Sequence, residues 1–191
     1  MTHFIEVYEN ALSSDTCNSL IELFEANPEW QMPGRVGKSL GDTVDPTWKD
    51  SLEIGIDAQL LKVPSWRDHL YTLFNSLENC LNQYKSKYPF LDEGIAWNMT
   101  QHCNFQKYLP SKGFYQWHCE SENNNRLLAW MFYLNTIEEG GGTEFNYDMP
   151  NLDAVAGNLA IWPAYWTHYH RGIVAPKQEK YIITGWYNYT A

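Results

Sequence analysis

The chain has 191 residues, which suits one domain with a hydrophobic core, and a composition that is 44% hydrophobic and 16% aromatic excludes a disordered chain. Its 23 acidic residues outnumber its 13 basic ones, so the formal net charge is -10, and Lys and Arg form no cluster along the sequence. A protein that grips a phosphate backbone usually has a basic face, so this charge argues against a nucleic-acid partner.

The first part of the chain predicts one strand, one helix and a long loop. Residues 4–12 alternate loosely between apolar and polar side chains and predict a strand. Ser13 and Asp15 are favoured N-cap residues, so we expect a helix from about residue 15 to residue 26. Residues 29–51 contain several Gly and Pro and predict a loop that is long enough to act as a lid.

A second and longer helix is predicted over residues 65–87. A short strand, residues 52–56, precedes it, and Ser65 with Asp68 is expected to cap its first turn. Pro89 stops the helix because proline cannot continue it. The predicted buried stripe has apolar residues three or four positions apart: Trp66, Leu70, Leu73, Leu77, Leu81 and Tyr84.

The helical period disappears after about residue 96. Short apolar runs separated by Gly, Asn and Pro follow, at residues 105–109, 127–134, 159–162 and 181–187. This pattern is typical of an all-β sandwich or barrel. We therefore expect one domain over residues 1–191 with a mainly β (α+β) fold, in which residues 1–95 give helical support and a lid and residues 96–191 form the β core.

The sequence also predicts a cellular compartment. It begins without the basic and apolar stretches of a signal peptide, and no apolar run approaches the roughly 20 residues that a membrane span needs. We therefore expect a cytoplasmic protein that does not enter a membrane. Its cysteines are expected to be free thiols in a reducing environment: Cys17, Cys80, Cys103 and Cys119.

A candidate metal site begins at His118 and Glu120, which stand two positions apart at the end of a predicted strand. Alternate residues of a strand point the same way, so the imidazole and the carboxylate would lie side by side. The only His residues downstream are His168 and His170, so a third ligand would come from one of them. Two His and one carboxylate on one face leave three coordination positions open, which suits Fe(II) and O2. Taken alone, each residue also fits an ordinary surface or partly buried position.

The segment from Tyr108 to Trp186 resembles the prolyl 4-hydroxylase-like branch of the Fe(II)/2-oxoglutarate oxygenases. Seven elements follow in the family's order: Tyr108, His118-Cys119-Glu120, Tyr133-Leu134-Asn135, Gly140 to Phe145, Gly157 to Pro163, His170-Arg171-Gly172, and Lys180-Tyr181 with Trp186. The resemblance implies a double-stranded β-helix, or jelly roll, from about residue 96 to residue 189 with flanking N-terminal helices. It also implies hydroxylation with Fe(II), 2-oxoglutarate and O2, release of succinate and CO2, and ascorbate as an optional reductant.

Two candidate ligands need comment within this resemblance: the carboxylate and the distal His. Glu120 stands where most of the family has Asp, and the longer acid can still ligate iron. The distal ligand is assigned to His170, because His170-Arg171-Gly172 resembles the family's motif and lies shortly before Lys180. His168 is the alternative, and we expect it on the same strand face, as the ligand or beside it.

The resemblance also implies a co-substrate site. Lys180 would pair with the far carboxylate of 2-oxoglutarate, a strong interaction in a dry pocket. Tyr108 and Tyr133 would donate their hydroxyls to the co-substrate, and Thr143 would line its slot. Thr184 would bond a metal-bound water. Without the resemblance, a lysine at a strand edge would be expected to point to water.

The expected substrate is a prolyl or similar residue of a peptide or protein, or a small molecule. Arg126 is expected to face it, and Tyr115, Trp117 and Trp186 are expected to form an aromatic wall over a flat group, although core packing is an equal reading of Trp186. Two alternatives stay open: a nucleic-acid oxygenase of the same superfamily, which usually has Arg where Lys180 stands, and a metal-binding jelly roll without activity.

Overall fold

The computed structural model describes residues 2–38, 41–121 and 125–190. The helices are α1 (Ser14–Glu25) and α2 (Pro64–Lys87), and short 3-10 helices occur at Pro28–Trp30, Leu60–Lys62, Pro89–Asp92 and Trp166–His168. The strands are β1 (Glu6–Tyr8), β2 (Met32–Pro33), β3 (Val36–Lys38), β4 (Gly41–Thr43), β5 (Leu52–Ile56), β6 (Trp97–Met99), β7 (Cys103–Tyr108), β8 (Arg126–Tyr133), β9 (Thr143–Phe145), β10 (Leu159–Pro163), β11 (His170–Gly172) and β12 (Lys180–Tyr189).

A major antiparallel sheet dominates the fold, in the strand order β1-β10-β8-β12-β7-β5-β2, with β6 also paired to β12. A minor pair, β11 and β9, forms a second layer, and β3 pairs with β4 in a hairpin. The expected mainly β jelly roll with flanking helices is therefore confirmed. The expected division at residue 95 is not kept, because β1, β2 and β5 come from the first part of the chain and extend both edges of the major sheet.

The two faces of the major sheet carry two separate cores, as the alternation of side chains along a strand requires. One face packs against the helices, through Trp66, Leu70 and Leu73 of α2 and through Leu128, Trp130, Phe132, Ile161, Tyr181 and Ile183 of the strands. The opposite face packs toward the minor pair, through Tyr108, Met131, Tyr133, Phe145, Trp162 and Ile182. The helices therefore hold one face of the sheet, while the other face is available for a binding site.

The two helices begin differently from each other. Ser13 caps α1, because its hydroxyl accepts a hydrogen bond of 3.1 Å from the backbone N–H of Thr16. The expected cap of α2 by Ser65 is wrong. That helix starts one residue earlier at Pro64, whose fixed φ suits a first helical position, and Val63 is its N-cap without a side-chain bond. The predicted stripe of α2 is buried except for Leu81, which is half-buried, and Cys80 is buried beside it.

Other expectations about the first part of the chain also change. The predicted strand at residues 4–12 is limited to β1, because Phe4 and Asn10 adopt left-handed backbone conformations that end it on both sides. The predicted loop at residues 29–51 contains the 3-10 helix Pro28–Trp30 and short strands, while residues 39 and 40 lie outside the described residues. The four cysteines, all of which lie in the described ranges, form no disulfide and are buried. No helix in the described ranges combines the length and the apolar character needed to cross a membrane.

The close packing of the sheet against the helices gives a stability prediction at Gly185 in β12. A Cβ there would lie 2.4 Å from Cζ2 of Trp130 and 2.8 Å from Cβ of Cys103, and both neighbours are buried. We expect Gly185→Ala to lower the free energy of unfolding by about 1–3 kcal/mol, the usual cost of overpacking. Urea unfolding measures this. Gly94→Ala is the control, because a Cβ there meets nothing within 4 Å; equal effects of the two changes would contradict the packing argument.

Candidate metal centre

His118 and His170 are brought together by backbone pairing. They form an isolated antiparallel bridge, in which the N–H of His118 donates to the carbonyl of His170 at 3.0 Å and the N–H of His170 donates to the carbonyl of His118 at 2.8 Å. The expectation that His118 and Glu120 end a regular strand is wrong, because the only bridges in that segment are at Phe114 and His118. The ring of Phe114 stacks on that of His118, with centroids 3.8 Å apart. The His118 imidazole is therefore held by the bridge to His170 and by stacking on Phe114, and not by a regular strand.

Three potential ligand atoms converge at this bridge. Oε1 of Glu120 lies 3.7 Å from Nε2 of His118 and 3.5 Å from Nε2 of His170. These three residues form the one group of metal-ligating side chains found within the described ranges, with ligand atoms within 4.8 Å of one another. Adjacent octahedral ligands about 2.1 Å from an ion lie roughly 3.0 Å apart, so a small contraction would suit a divalent metal.

Each imidazole is held so that Nε2 faces the centre. Nδ1–H of His118 donates to the carbonyl of Gln116 at 2.9 Å, and Nδ1–H of His170 donates to the carbonyl of His168 at 2.9 Å. This pattern leaves the lone pair of each Nε2 for a metal. Burial lowers the pKa of His118, and His170 nearby lowers it further, so the ring is neutral near pH 7, which is the form that ligates.

His168 lies away from this centre. It ends the 3-10 helix Trp166–His168 and is not on the same strand face as His170, because that turn rotates its side chain. Its Nε2–H donates to the carbonyl of His3 at 2.8 Å, and its Nδ1 is 2.9 Å from the hydroxyl of Thr167. The structure therefore brings His170, and not His168, to Glu120.

Glu120 is held by two donors on its second oxygen. Oε2 accepts a hydrogen bond of 3.0 Å from the guanidinium of Arg126 and one of 2.8 Å from Nε1–H of Trp186. Burial alone would raise the pKa of the Glu120 carboxyl, but its interactions with the His118 and His170 rings, when these are protonated, hold it well below its usual range. The group therefore carries its charge at neutral pH.

Lys180 lies buried on the same side of the sheet as this centre. It is paired in register with Tyr108, and its Nζ is 5.8 Å from the ring centroid of Tyr108 and 5.4 Å from that of Tyr133. Its hydrogen bond within the described residues is a long one of 3.4 Å to the carbonyl of Gly142, and no acid there pairs with it. Burial lowers the pKa of Lys180 to about 7. An anion in this slot would supply the missing counter-charge.

Hydroxyl groups line the slot around Lys180. The hydroxyls of Tyr133 and Thr143 are 2.7 Å apart, and the hydroxyl of Tyr108 donates to Oε1 of Gln106 at 2.7 Å. Thr184 donates its hydroxyl proton to the carbonyl of Trp130 at 2.8 Å, so toward the cleft it has lone pairs to offer. Gln106 was not among the expected residues. It could have been found as one of the alternate polar positions of β7.

Comparison with known proteins identifies the family that the β core of the chain resembles. Residues 103–188 match the family model described as the 2OG-Fe(II) oxygenase superfamily. Over these residues, which include His118, Glu120, His170 and Lys180, the chain resembles this superfamily. The expected enzyme class and its cofactors, Fe(II), 2-oxoglutarate and O2, are thereby confirmed, and the donor set and the buried Lys180 fit them. No curated protein matches the sequence.

Solved structures show the same fold for this oxygenase. A prolyl-4-hydroxylase from Pseudomonas putida aligns with a TM-score of 0.70 at 16% identity, covering 100% of this chain and 95% of the other. The viral collagen prolyl hydroxylase of Paramecium Bursaria Chlorella virus-1, in a 2OG complex, gives 0.68 at 18% identity, with 98% and 97% covered. A prolyl hydroxylase from Trichoplax adhaerens, in complex with a hypoxia inducible factor oxygen degradation domain peptide, gives 0.72 at 16%, with 98% and 84% covered.

The centre and the slot open into one cleft of about 650 Å³ in the oxygenase. The expected lid segment supplies part of its wall, through Trp30, Met32, Arg35, Val36 and Trp48. Trp186 lines the cleft, but Tyr115 and Trp117 do not, so the expected aromatic wall forms only in part. Trp117 instead stacks with the guanidinium of Arg171 at 4.7 Å, and the hydroxyl of Tyr115 lies 3.4 Å from the carbonyl of Ser111.

The different positions of His168 and His170 can be tested directly. Loss of an outer-shell partner typically weakens metal binding by about 10- to 100-fold. We expect His170→Ala to weaken Co(II) binding by more than this, because it removes a ligand. His168→Ala should change Co(II) affinity by much less. Titration of the apoprotein with Co(II), followed by visible absorbance, measures both. A greater loss in His168→Ala than in His170→Ala would contradict the assignment.

Proposed function

We propose that this oxygenase hydroxylates a prolyl or similar residue of a peptide or protein and releases succinate and CO2. One observation carries the proposal: the His118, Glu120 and His170 cluster shares a cleft with Lys180, a buried cation that lacks an acidic partner in the described ranges. Burying an unpaired ammonium is unfavourable, so its presence supports an anionic co-substrate. A metal-binding jelly roll without activity would not need such a residue.

In this proposal His118 and His170 hold Fe(II) through Nε2, and Glu120 holds it through Oε1. When bound, iron and 2-oxoglutarate supply the oxidising chemistry that inserts one atom of O2 into a C–H bond of the substrate. The carbonyls of Gln116 and His168 keep the two rings oriented, since each occupies an Nδ1–H. Phe114 covers the His118 ring and limits the access of water to it.

The co-substrate slot has its own assigned roles. Lys180 pairs with the far carboxylate of 2-oxoglutarate, and this pairing draws a proton onto its amine. Tyr133 and Thr143, already hydrogen-bonded to each other, present hydroxyls beside that carboxylate. Tyr108, whose hydroxyl is bonded to Gln106, also has its ring beside Lys180. Thr184 offers its lone pairs to a water near the metal, because its proton is committed to Trp130.

The outer cleft supports a peptide as substrate. Its lining includes the exposed side chains of Trp30, Met32 and Trp48. Aromatic-lined grooves suit proline-containing segments, because their extended conformation is already formed and the flat rings pack together. The Trichoplax adhaerens structure of the same fold was solved with a peptide bound. These features favour a prolyl-containing peptide over a small molecule.

The function is tested by direct turnover. Protein with Fe(II), ascorbate and 2-oxoglutarate is incubated with proline-rich peptides, with free amino acids and with methylated oligonucleotides. Mass spectrometry detects the gain of one oxygen atom, and succinate is measured in parallel. We expect peptide oxidation with matching succinate, and neither product from Glu120→Ala. Oxidation of only the free amino acids or only the oligonucleotides would assign the enzyme to another substrate class, and absence of all products would contradict the proposal.

The role of Lys180 gives a second prediction, for co-substrate affinity. Lys180→Ala removes a charge-assisted hydrogen bond worth about 1.5–3 kcal/mol net, so 2-oxoglutarate affinity should fall by roughly 10- to 150-fold. Metal affinity should change little, because Lys180 is not a ligand. The measurement is an anaerobic titration of 2-oxoglutarate into the Fe(II)-loaded protein, followed by the charge-transfer absorbance of the complex.

The same titration repeated against pH separates the charge of Lys180 from its bulk. Its lowered pKa of about 7 means that the ammonium is present below pH 7 and is lost as pH rises. Binding of the carboxylate must then restore a proton, so affinity should be nearly constant below pH 7 and about 10-fold weaker at pH 8 than at pH 6. Lys180→Ala should lack this dependence. A wild-type profile that is flat over this range, or one matched by Lys180→Ala, would contradict the pairing.

A further inference from the structure

Glu120 differs from the other two candidate ligands because it has two oxygen atoms and a longer, more flexible side chain. An unrestrained glutamate could ligate a metal through both oxygens or swing away from it. In this structure Oε1 faces the two imidazoles, while Oε2 accepts hydrogen bonds from Arg126 and Trp186 at 3.0 and 2.8 Å. The two oxygens therefore have different partners.

The two donors form one rigid unit on the major sheet. Arg126 lies at the start of β8 and Trp186 lies in the adjacent strand β12. The guanidinium stacks on the indole with its central carbon 3.6 Å from the ring centroid, so each donor fixes the other. Glu120 itself lies outside regular secondary structure, with its backbone N–H bonded to the carbonyl of Ala164 at 3.0 Å. Residues of two strands therefore fix the position of the Glu120 carboxylate, although its own backbone is irregular.

The coordination number explains why this restraint matters. A six-coordinate Fe(II) held by these three residues would keep three further positions, enough for the chelating end of 2-oxoglutarate and for O2. If Glu120 used both oxygens, it would occupy the position that O2 needs. With Oε2 engaged by Arg126 and Trp186, only Oε1 is free to bind the metal.

We propose that Arg126 and Trp186 are positioning residues that hold Glu120 as a one-oxygen ligand and so keep one coordination position open. This inference rests on the metal site of the proposed function. It also accounts for the glutamate itself. An aspartate at position 120 is one methylene shorter, so it could not reach the metal position and both donors at once. The donors act on the metal through Glu120, in addition to lining the cleft.

The test is a double-mutant cycle on metal binding, without co-substrate or turnover. Trp186→Phe keeps the ring but removes the N–H donor, and Glu120→Asp shortens the acceptor. Co(II) affinity and the visible Co(II) spectrum are measured for both single variants and for the pair. Thermal melting checks that each variant folds. Trp166→Phe, at a tryptophan that is 66% exposed and outside the cleft, is the matched control.

We expect Trp186→Phe to weaken Co(II) binding by about 10- to 100-fold, the usual effect of losing an outer-shell partner, and to change the visible Co(II) spectrum. In the Glu120→Asp background the same change should have little further effect, because the shorter acid no longer reaches the indole. Effects that multiply, or a Trp186→Phe protein with wild-type affinity and spectrum, would overturn the proposal.

A second variant guards against a folding defect at Trp186. Arg126→Gln removes the guanidinium and should give a comparable loss of affinity. Because Arg126 also donates to the backbone carbonyl of Glu120 at 3.3 Å, its effect and that of Glu120→Asp should combine to less than the product of the two. If the wild-type protein binds no Co(II), the metal site of the proposed function fails. If wild type binds Co(II) and neither variant differs from it, only the positioning role fails.

Discussion

The candidate site depends on the backbone bridge between His118 and His170. Each residue donates to the carbonyl of the other, and side chains of such a pair project to the same face. Because His170 also begins β11, paired in register with Phe145 of β9, the bridge ties an irregular segment to the minor layer. Phe145 and Trp162 then pack against the His170 ring at 5.3 and 5.2 Å. The two backbone hydrogen bonds of this bridge thus bring the candidate ligands His118 and His170 together.

Lys180 shows how the fold supports a residue that by itself opposes stability. An ammonium buried without an acid is costly, and its lowered pKa of about 7 expresses that cost. Ten residues of β12 and its pairing with β7 and β8 hold the side chain in place. A carboxylate that binds there is stabilised and also relieves the burial. In the proposed function, this uncompensated charge is one half of an ion pair whose other half is the co-substrate.

From the sequence, the residue types of the candidate site could be predicted more accurately than the local backbone conformation around them. Motif order selected Glu120 and Lys180, which line one cleft, and periodicity predicted α2 and most of the major sheet. The spacing of His168 and His170 was misjudged because a 3-10 turn interrupts the assumed strand. Strands β2, β3 and β4 were missed because very short strands take their pairing from tertiary contacts and not from propensity. The contacts of Arg126 and Trp186 with Glu120 join three separate parts of the chain, so no local pattern could reveal them.

Strand β12 contributes side chains both to the cleft and to the core beneath the helices, so its pairing register fixes both sets. Alternate residues Lys180, Ile182, Thr184 and Trp186 face the cleft, whereas Tyr181, Ile183 and Tyr187 join the core beneath the helices. A shift by one residue would exchange the two sets and bury Lys180 among helix-facing side chains. The tight fit of Gly185 against Trp130 opposes such a shift, since only glycine leaves room for the indole. The packing on the helical face therefore sets the positions of Lys180 and Trp186 on the opposite face.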